Sequence, residues 1–338
     1  MATITASPKK KNWFTRFINM DTSGSTDSGE KLPLWRQLLI QLLCLLITAE
    51  VMFPIMYIIT LSFSSNPSRP TSLELFPKEI SLIAYQQVLD RPTANPVTFL
   101  ELLRNSVLLS VGVGLVALLI AVTAAYAFSR FKFKLRQILM IMVFIPLLMP
   151  AIGLSTPLFL LLNNFKVLDC GGVIAIAPFA ACVSGVAGKI TFNLRDSLLG
   201  VSVAMISTAL PFAVWNLKGY LDTIPKELEE AAAIDGANPN QIFYQIVMPL
   251  AAPQLAVTFF LGFIGHWQEF ALPWLFLTKP GSYTLAMTLY NMTGQYANAI
   301  PWNRFAAMAI IVALPVAIIY VLLQKQIVSG LTSGSVKG

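Results

Sequence analysis

The chain has 338 residues, 56% of them hydrophobic and only 12% charged, with a formal net charge of +7 and a mean hydropathy of +0.70. A soluble domain carries about 25% charged residues, so this composition excludes one and points to an all-α integral membrane protein. The positive balance is no nucleic-acid signature, because Lys and Arg cluster beside apolar spans, where they set topology rather than track phosphates.

Residues 1–36 form a polar N-terminal tail. Residues 1–31 hold lysines but no apolar core followed by a small-residue cleavage site, so a cleaved signal peptide is not expected. Ser, Thr, Gly and Asp make this stretch a mobile tail, with Trp13, Phe14 and Phe17 able to touch the membrane surface.

A helix crossing a hydrocarbon core about 30 Å thick needs about 20 mainly apolar residues. Six segments meet that length: 37–62, 105–128, 138–163, 198–220, 252–277 and 305–325. They are expected as helices because a lipid-facing backbone must satisfy its own hydrogen bonds, and none alternates like a barrel strand. The basic residues Lys9, Lys10, Lys11, Arg16, Lys31 and Arg36, with Arg130, Lys132, Lys134 and Arg136 between spans two and three, mark the cytoplasmic side. Six crossings then place both termini, the tail 326–338 and the loop 222–249 in the cytoplasm.

The insert 166–190 is expected on the outer side. Within it the uncharged run 171–188, GGVIAIAPFAACVSGVAG, is long enough for a seventh span. Its glycines and Pro178, and the odd number of crossings it would create, favour a re-entrant or surface hairpin. The three cysteines, Cys44, Cys170 and Cys182, show no CxxC spacing, and the lone His266 cannot complete a metal site with them. No metal and no bound cofactor is expected, and a Cys170–Cys182 bridge is left open if that segment faces an oxidising compartment.

The loop between spans four and five reads 222-DTIPKELEEAAAIDGANPNQIFYQIVMP-249. Pro225 suits a first helical position, and Glu227, Glu229 and Glu230 complement the positive end of a helix dipole. Gly236 supplies a left-handed residue that ends this helix. Asn238, Pro239 and Gln241 open a second helix with a capping-box pattern, on which Ile242, Phe243, Ile246 and Val247 share a face. Pro249 and Pro253 are expected to interrupt the run into span five. Two short helices meeting at a glycine, with Ala231, Ala232 and Ala233 leaving room for a close approach, form a better docking element than a plain solvated loop.

The string EAAAIDGA, followed by Phe243, Ile246 and Pro249, resembles the signature loop of the membrane subunits of binding-protein-dependent ABC importers. The strings NSVLLS to AYAFSRFKF (105–133), LPFAVWNLKGYLDTIPKELEEAA (210–232) and the ending VSGLTSGSVKG (328–338) look like the MalG-type subunits of its carbohydrate-uptake branch. The resemblance runs from about Gln37 to Gly338; the insert near 166–190 and the long N-terminal tail depart from it. It implies a six-helix type I importer permease fold in the bacterial inner membrane, with this loop as the cytoplasmic coupling helix gripped by an ATPase. Carried over by residue, Glu230 would meet a basic group on the ATPase, Ala231 and Ala232 would allow tight packing, Gly236 would make the turn and Asp235 would cap the loop internally. Gly330, Thr332, Gly334 and Lys337 match a tail that reaches between the nucleotide-binding subunits.

The chain has no GxxxxGK[ST]; the nearest string, 185-GVAGKI-190, lacks the spacing and the hydroxyl. No catalytic set surrounds His266, so this is not read as an enzyme. The resemblance implies that ATP and Mg²⁺ sit on a dimer of partner ATPase subunits, and that a second, MalF-like permease and an extracytoplasmic solute-binding protein complete the assembly. The solute would be an oligosaccharide or a sugar-like molecule. An ABC permease for an amino acid, peptide or polyol phosphate, and a non-transporting membrane anchor for an ATPase, are the rival readings.

Inside the membrane, 266-HWQEFALPW-274 carries a carboxylate in an apolar span, a costly placement that usually faces a cavity or a partner. Glu269 with Gln268 is therefore a candidate for the solute path, with Trp267 or Trp274 offering faces on which sugar rings stack. Alternatively, Glu269 lies near the outer interface and pairs with Lys279 or with a neighbouring subunit. Gln268 stands where the family's usual residue is asparagine. Asn216 and Asn291 are weaker candidates of the same kind.

Overall fold

The structure is a computed structural model that describes residues 33–68, 76–77, 79–149, 151–164, 166–169, 174–177, 189–194, 196–294 and 300–333. The expected N-terminal tail up to residue 32 lies outside them, as do Cys170 and Cys182. Among the described residues five helices are long and apolar enough to cross a membrane, or six when a bent pair counts as one span.

Helix α1, Leu34–Ser62, buries only Thr60 and Ser62, so its leucines face outward along most of its length, as befits a helix whose solvent is lipid. After it, the short α2 (Ile83–Asp90) packs Ala84 and Val88 into the core. The second span is α3, Phe99–Arg130. It starts before the expected Asn105 because Thr98 and Glu101 form a reciprocal capping box: the Glu101 N–H donates to Thr98 Oγ1 and the Thr98 N–H donates to Glu101 Oε2.

The third span is not one straight helix. It is split into α4 (Arg136–Leu148) and α5 (Ala151–Asn164), which are bent by 106°. The cause is in the sequence: Met149 precedes Pro150 and takes an extended conformation, φ −88°, ψ 141°, because the proline ring disfavours the α region for the residue before it.

The insert that follows adds three short strands to the helical bundle. Strands β1 (Lys166–Asp169), β2 (Ile174–Ala177) and β3 (Lys189–Asn193) form an antiparallel sheet in the order β2-β1-β3. Lys166 stands opposite Ala177 and Asn193, and Val167 opposite Ile176 and Phe192. Of the run 171–188 only 174–177 lies among the described residues, and there it is a strand paired to β1 rather than helix.

Helix α6 (Leu198–Leu221) matches the fourth span. Its N-cap is tight: Ser197 Oγ accepts the Gly200 N–H at 3.0 Å, and a Cβ on Gly200 would sit 1.8 Å from the Leu194 carbonyl oxygen. Helix α7 (Glu227–Ile234) is followed by α8, Pro239–Gln268. Here two expectations fail. The fifth span ends at Gln268 rather than 277, with a separate short helix α9 at Ala271–Phe276. The prolines also do not interrupt the entry, because the helix capped at Asn238 runs unbroken into the span. A π-helical stretch, Ile242–Val247, lies inside it, with the Met248 N–H donating to the Phe243 carbonyl. Pro249 falls directly after this stretch, where the ladder returns to the α pattern.

Helix α10 (Leu285–Gly294) was not anticipated, and α11 (Trp302–Ser333) extends the sixth span at both ends. Helix α3 is the centre of the bundle, and α6 and α8 lie against it. Gly114, Ala117, Ala121 and Ala125 are buried along one side of α3; this small-residue face allows close packing where no hydrophobic effect drives helices together. At the end of the bundle that carries 222–248, here the loop end, Ala121, Val122, Ala125, Leu217, Leu221, Ile242 and Val247 form one apolar cluster. Polar ties hold the far end: Asn105 Nδ2 donates to the Gly281 and Tyr283 carbonyls, and Asn303 Nδ2 to that of Ser64.

Candidate functional site

Helix α7 is shaped at both ends by its own sequence. Pro225 lies one residue before the N-cap Lys226 rather than at the first helical position, and the Glu229 and Glu230 N–H groups both donate to the Lys226 carbonyl. At the other end Gly236 takes φ +90°. Its N–H donates to the Ala233 carbonyl at 3.1 Å and the Ala237 N–H to that of Ala232 at 2.9 Å, the paired bonds of a Schellman motif. Asp235 is the C-cap residue and is exposed. Among the described contacts its carboxylate takes no part, so the internal cap is made by backbone and glycine, not by this side chain. The Asn238 box is present in full: the Gln241 N–H donates to Asn238 Oδ1 at 2.9 Å, and the Asn238 N–H to Gln241 Oε1 at 2.8 Å.

The two faces of α7 differ. Glu230, Ala231, Ala233 and Ile234 point away from the bundle, and Ile234 is 87% exposed. Ala232 is half-buried against the loop-end cluster, so the two alanines expected to serve together face different neighbours. Phe243 turns inward, its ring 4.9 Å from that of Tyr126, while Tyr244 and Pro249 are exposed.

Sequence reading missed the residue that seats this helix. Glu229 forms a salt bridge with Arg130 Nε at the end of α3, and the two side chains are only 13% and 7% exposed. Tyr126 Oη donates to the other carboxylate oxygen at 3.1 Å, and Arg130 Nη2 donates to the Ile224 carbonyl at 3.1 Å. Beside this pair, Ser129 Oγ donates to Asp222 Oδ1 at 2.6 Å and Lys218 Nζ to Asp222 Oδ2 at 2.6 Å. Burial pushes the Asp222 carboxyl up, but the hydrogen bonds from Lys218 and Ser129 outweigh it and hold the group below its ordinary value. The available signal was the three-residue step between Glu229 and Ala232, which puts them on one face; nothing in the sequence says that this face turns inward.

The residues proposed for a solute path do not form one constellation. Trp267 is 3% exposed, stacks on Phe263 at 5.5 Å and donates Nε1–H to the Val312 carbonyl at 3.0 Å. Its neighbour Gln268 is exposed at the rim of a cavity of about 310 Å³ lined by Trp267, Phe270, Leu289, Tyr290 and Phe305. Glu269 is not inside a span: it sits in the break after α8, where Oε1 accepts the N–H groups of Ala271 at 2.7 Å and Leu272 at 3.1 Å and so caps α9. It does not pair with Lys279, whose ammonium lies 3.2 Å from Asp196 Oδ2. Trp274 is 56% exposed on α9. Asn216 Nδ2 donates to Thr258 Oγ1 at 3.1 Å, joining α6 to α8, and Asn291 is buried on α10.

Helix α11 carries Gly330 and Thr332 on its last turns, so the tail expected from residue 326 begins as helix; Gly334 and Lys337 lie outside the described residues. Among the described residues no group of His, Cys, Asp and Glu could hold a metal ion.

Comparison with known proteins gives these features a family. Residues 117–333 match the model of the binding-protein-dependent transport system inner membrane component. The galactooligosaccharides transport system permease protein GanQ of Bacillus subtilis is 31% identical, covering 90% of this chain and 96% of that protein. The maltose/maltodextrin transport system permease protein MalG of Escherichia coli is 35% identical, with the same two shares. Among solved structures, a chain from a bacterial ABC transporter involved in the import of the acidic polysaccharide alginate superposes with a TM-score of 0.65 at 23% identity, covering 90% of this chain and 99% of that one. The fold is therefore that of an importer permease. With the loop helix α7 inside the matched region, this multi-pass membrane chain belongs to the family of inner membrane components of binding-protein-dependent transport systems, and is a transport permease.

Proposed function

We propose that this chain is one of two permease subunits of an ABC importer, forming with a second, MalF-like permease the path for an oligosaccharide or sugar-like solute. ATP and Mg²⁺ belong to a dimer of partner ATPase subunits, and an extracytoplasmic binding protein delivers the solute. The loop end and both termini face the cytoplasm of a bacterial inner membrane, as the basic residues around Arg130 and Lys132 support. The sugar class is supported by relatives named for galactooligosaccharides and for maltose and maltodextrin.

The observation that carries this reading is α7: a short helix, closed at its C-terminal end by the Gly236 turn, that turns Glu230, Ala231 and a nearly naked Ile234 away from its own bundle. An apolar side chain held out on a rigid element is what a partner surface covers. In this reading Glu230 meets a basic group on the ATPase, Ala231 lets that surface approach, and Asp235 and Gly236 make the turn. Ala232 and Phe243 seat the element on α3, and Pro249 marks the passage into the span. Gly330 and Thr332 on the last turns of α11, with Gly334 and Lys337 after them in the sequence, are the tail residues that contact the ATPase dimer. Closure of that dimer then rotates the helices between two states, giving alternating access. On the solute side, the exposed Gln268 and Trp274 are the candidates for contact, while Trp267, Glu269 and Asn216 serve the fold.

The test is reconstitution with the partner permease, the ATPase and the binding protein in vesicles, offering labelled maltotriose and galactobiose in parallel. Binding-protein-dependent, ATP-driven uptake of either sugar is expected, and Glu230→Lys should abolish it while membrane insertion is unchanged. Normal uptake by Glu230→Lys, or ATP hydrolysis that no sugar stimulates, would overturn the reading.

A further inference from the structure

The polar cluster beneath α7 plays no part in the docking role just described. Helix α7 fully buries none of its residues. It hangs between two backbone joints, the turn at 222–226 and Gly236 with its φ of +90°, and the backbone alone leaves it free to pivot. What crosses the gap is a run of hydrogen bonds through three helices. Glu229 on α7 binds Arg130 and Tyr126 on α3; Arg130 Nη2 binds the Ile224 carbonyl and Nη1 binds Ser129 Oγ at 3.2 Å; Ser129 binds Asp222, which binds Lys218 on α6. Arg130 thus commits three nitrogens of its planar fork, one to α7, one to the turn before it and one to its own neighbour Ser129, which fixes its orientation in a way a lysine could not. At 7% and 13% exposure the Arg130–Glu229 pair is shielded from the screening that weakens surface ion pairs. The ring of Phe243, 4.9 Å from Tyr126, packs beside it.

We infer that this clasp makes α7 and the loop end of α3 a single rigid body, so that a displacement imposed on α7 reaches the central span directly rather than only through its two backbone joints. Glu229 is then a positioning residue, distinct from its exposed neighbour Glu230. The rigidity follows from the geometry alone; its consequence for transport rests on the permease reading.

Spin labels at Lys132 and Glu227, both exposed, in a chain carrying Cys44→Ser, Cys170→Ser and Cys182→Ser, would measure the separation of the two elements in the assembled importer in lipid nanodiscs. A single narrow distance is expected, moving by less than the about 2 Å of an interface helix shift between the nucleotide-free complex and the complex trapped with MgATP and vanadate. Glu229→Ala should broaden it, and uptake per ATP hydrolysed should fall about tenfold with the ATPase still bound, within the span of coupling free energies between sites. Should Glu229→Ala fail to insert, Tyr126→Phe, which removes one hydrogen bond and keeps the ring, should broaden the same distance. A wild-type distance that changes between the two states, or a variant distribution that overlays the wild type, overturns the inference. Loss of ATPase binding in Glu229→Ala would instead make Glu229 a docking residue and likewise overturn it. If the wild-type chain binds no ATPase and moves no sugar, the permease reading fails, while the distances within the chain still judge the clasp.

Discussion

Replacing Gly236 by alanine isolates one physical term. The residue sits at φ +90°, and a Cβ added there meets nothing within 4 Å, so steric contact with the rest of the chain contributes nothing. The whole cost is backbone strain, about 1–2 kcal/mol for an L-residue with a Cβ held in the left-handed region. The bonds that strain loosens are Ala237 N–H to the Ala232 carbonyl and Gly236 N–H to the Ala233 carbonyl. Since about 1.4 kcal/mol is a factor of ten, amide hydrogen exchange at residues 236 and 237 should accelerate about 5- to 30-fold. Exchange around Val113 in the central helix should be unchanged. Asparagine tolerates this conformation better than alanine does, so Gly236→Asn should exchange more slowly than Gly236→Ala. Equal exchange in the wild type and Gly236→Ala, or an asparagine variant faster than the alanine one, would refute the argument that conformation rather than contact selects glycine here.

Glu229→Ala leaves the Arg130 guanidinium buried without its partner and should lower stability by about 3–5 kcal/mol in thermal unfolding in detergent, whereas the double change Arg130→Met, Glu229→Leu should lower it far less. Gly200→Ala brings a Cβ to 1.8 Å from the Leu194 carbonyl oxygen; the N-cap of α6 must open, at about 1–3 kcal/mol, read by the same unfolding measurement. Asp222 is held below its ordinary value, so its contribution to stability is complete above the unfolded carboxyl value of about 3.9 and is lost as pH falls through the lower folded value. Melting temperatures of the wild type should therefore fall on acidification in that window, and Asp222→Asn should remove this component. Asn216→Leu removes an interhelical hydrogen bond to Thr258 worth about 0.6 kcal/mol in a membrane bundle; unchanged sugar uptake in that variant would confirm that Asn216 packs helices, while a large loss of uptake would return it to the solute path.

Much of this molecule was legible in the order of its residues. Span lengths follow from the thickness of the bilayer, and the stop at Gly236 and the Asn238–Gln241 box follow from local backbone chemistry that needs no distant partner. The bend at Met149 departs from the single span expected over 138–163, although the proline after it dictates the break. What the sequence could not decide is everything that depends on which side of a helix meets which neighbour. Glu229 and Glu230 are adjacent identical residues, and only the arrival of Arg130 and Tyr126 from a helix about a hundred positions earlier makes one a buried clasp and the other an exposed contact. Glu269 looked like a charge stranded in lipid because apolar composition continues across the break after Gln268; the fold spends its carboxylate on the N–H groups of Ala271 and Leu272. Hydropathy averages over all faces of a helix, whereas burial and pairing select one, and that selection is made only when the helices are packed.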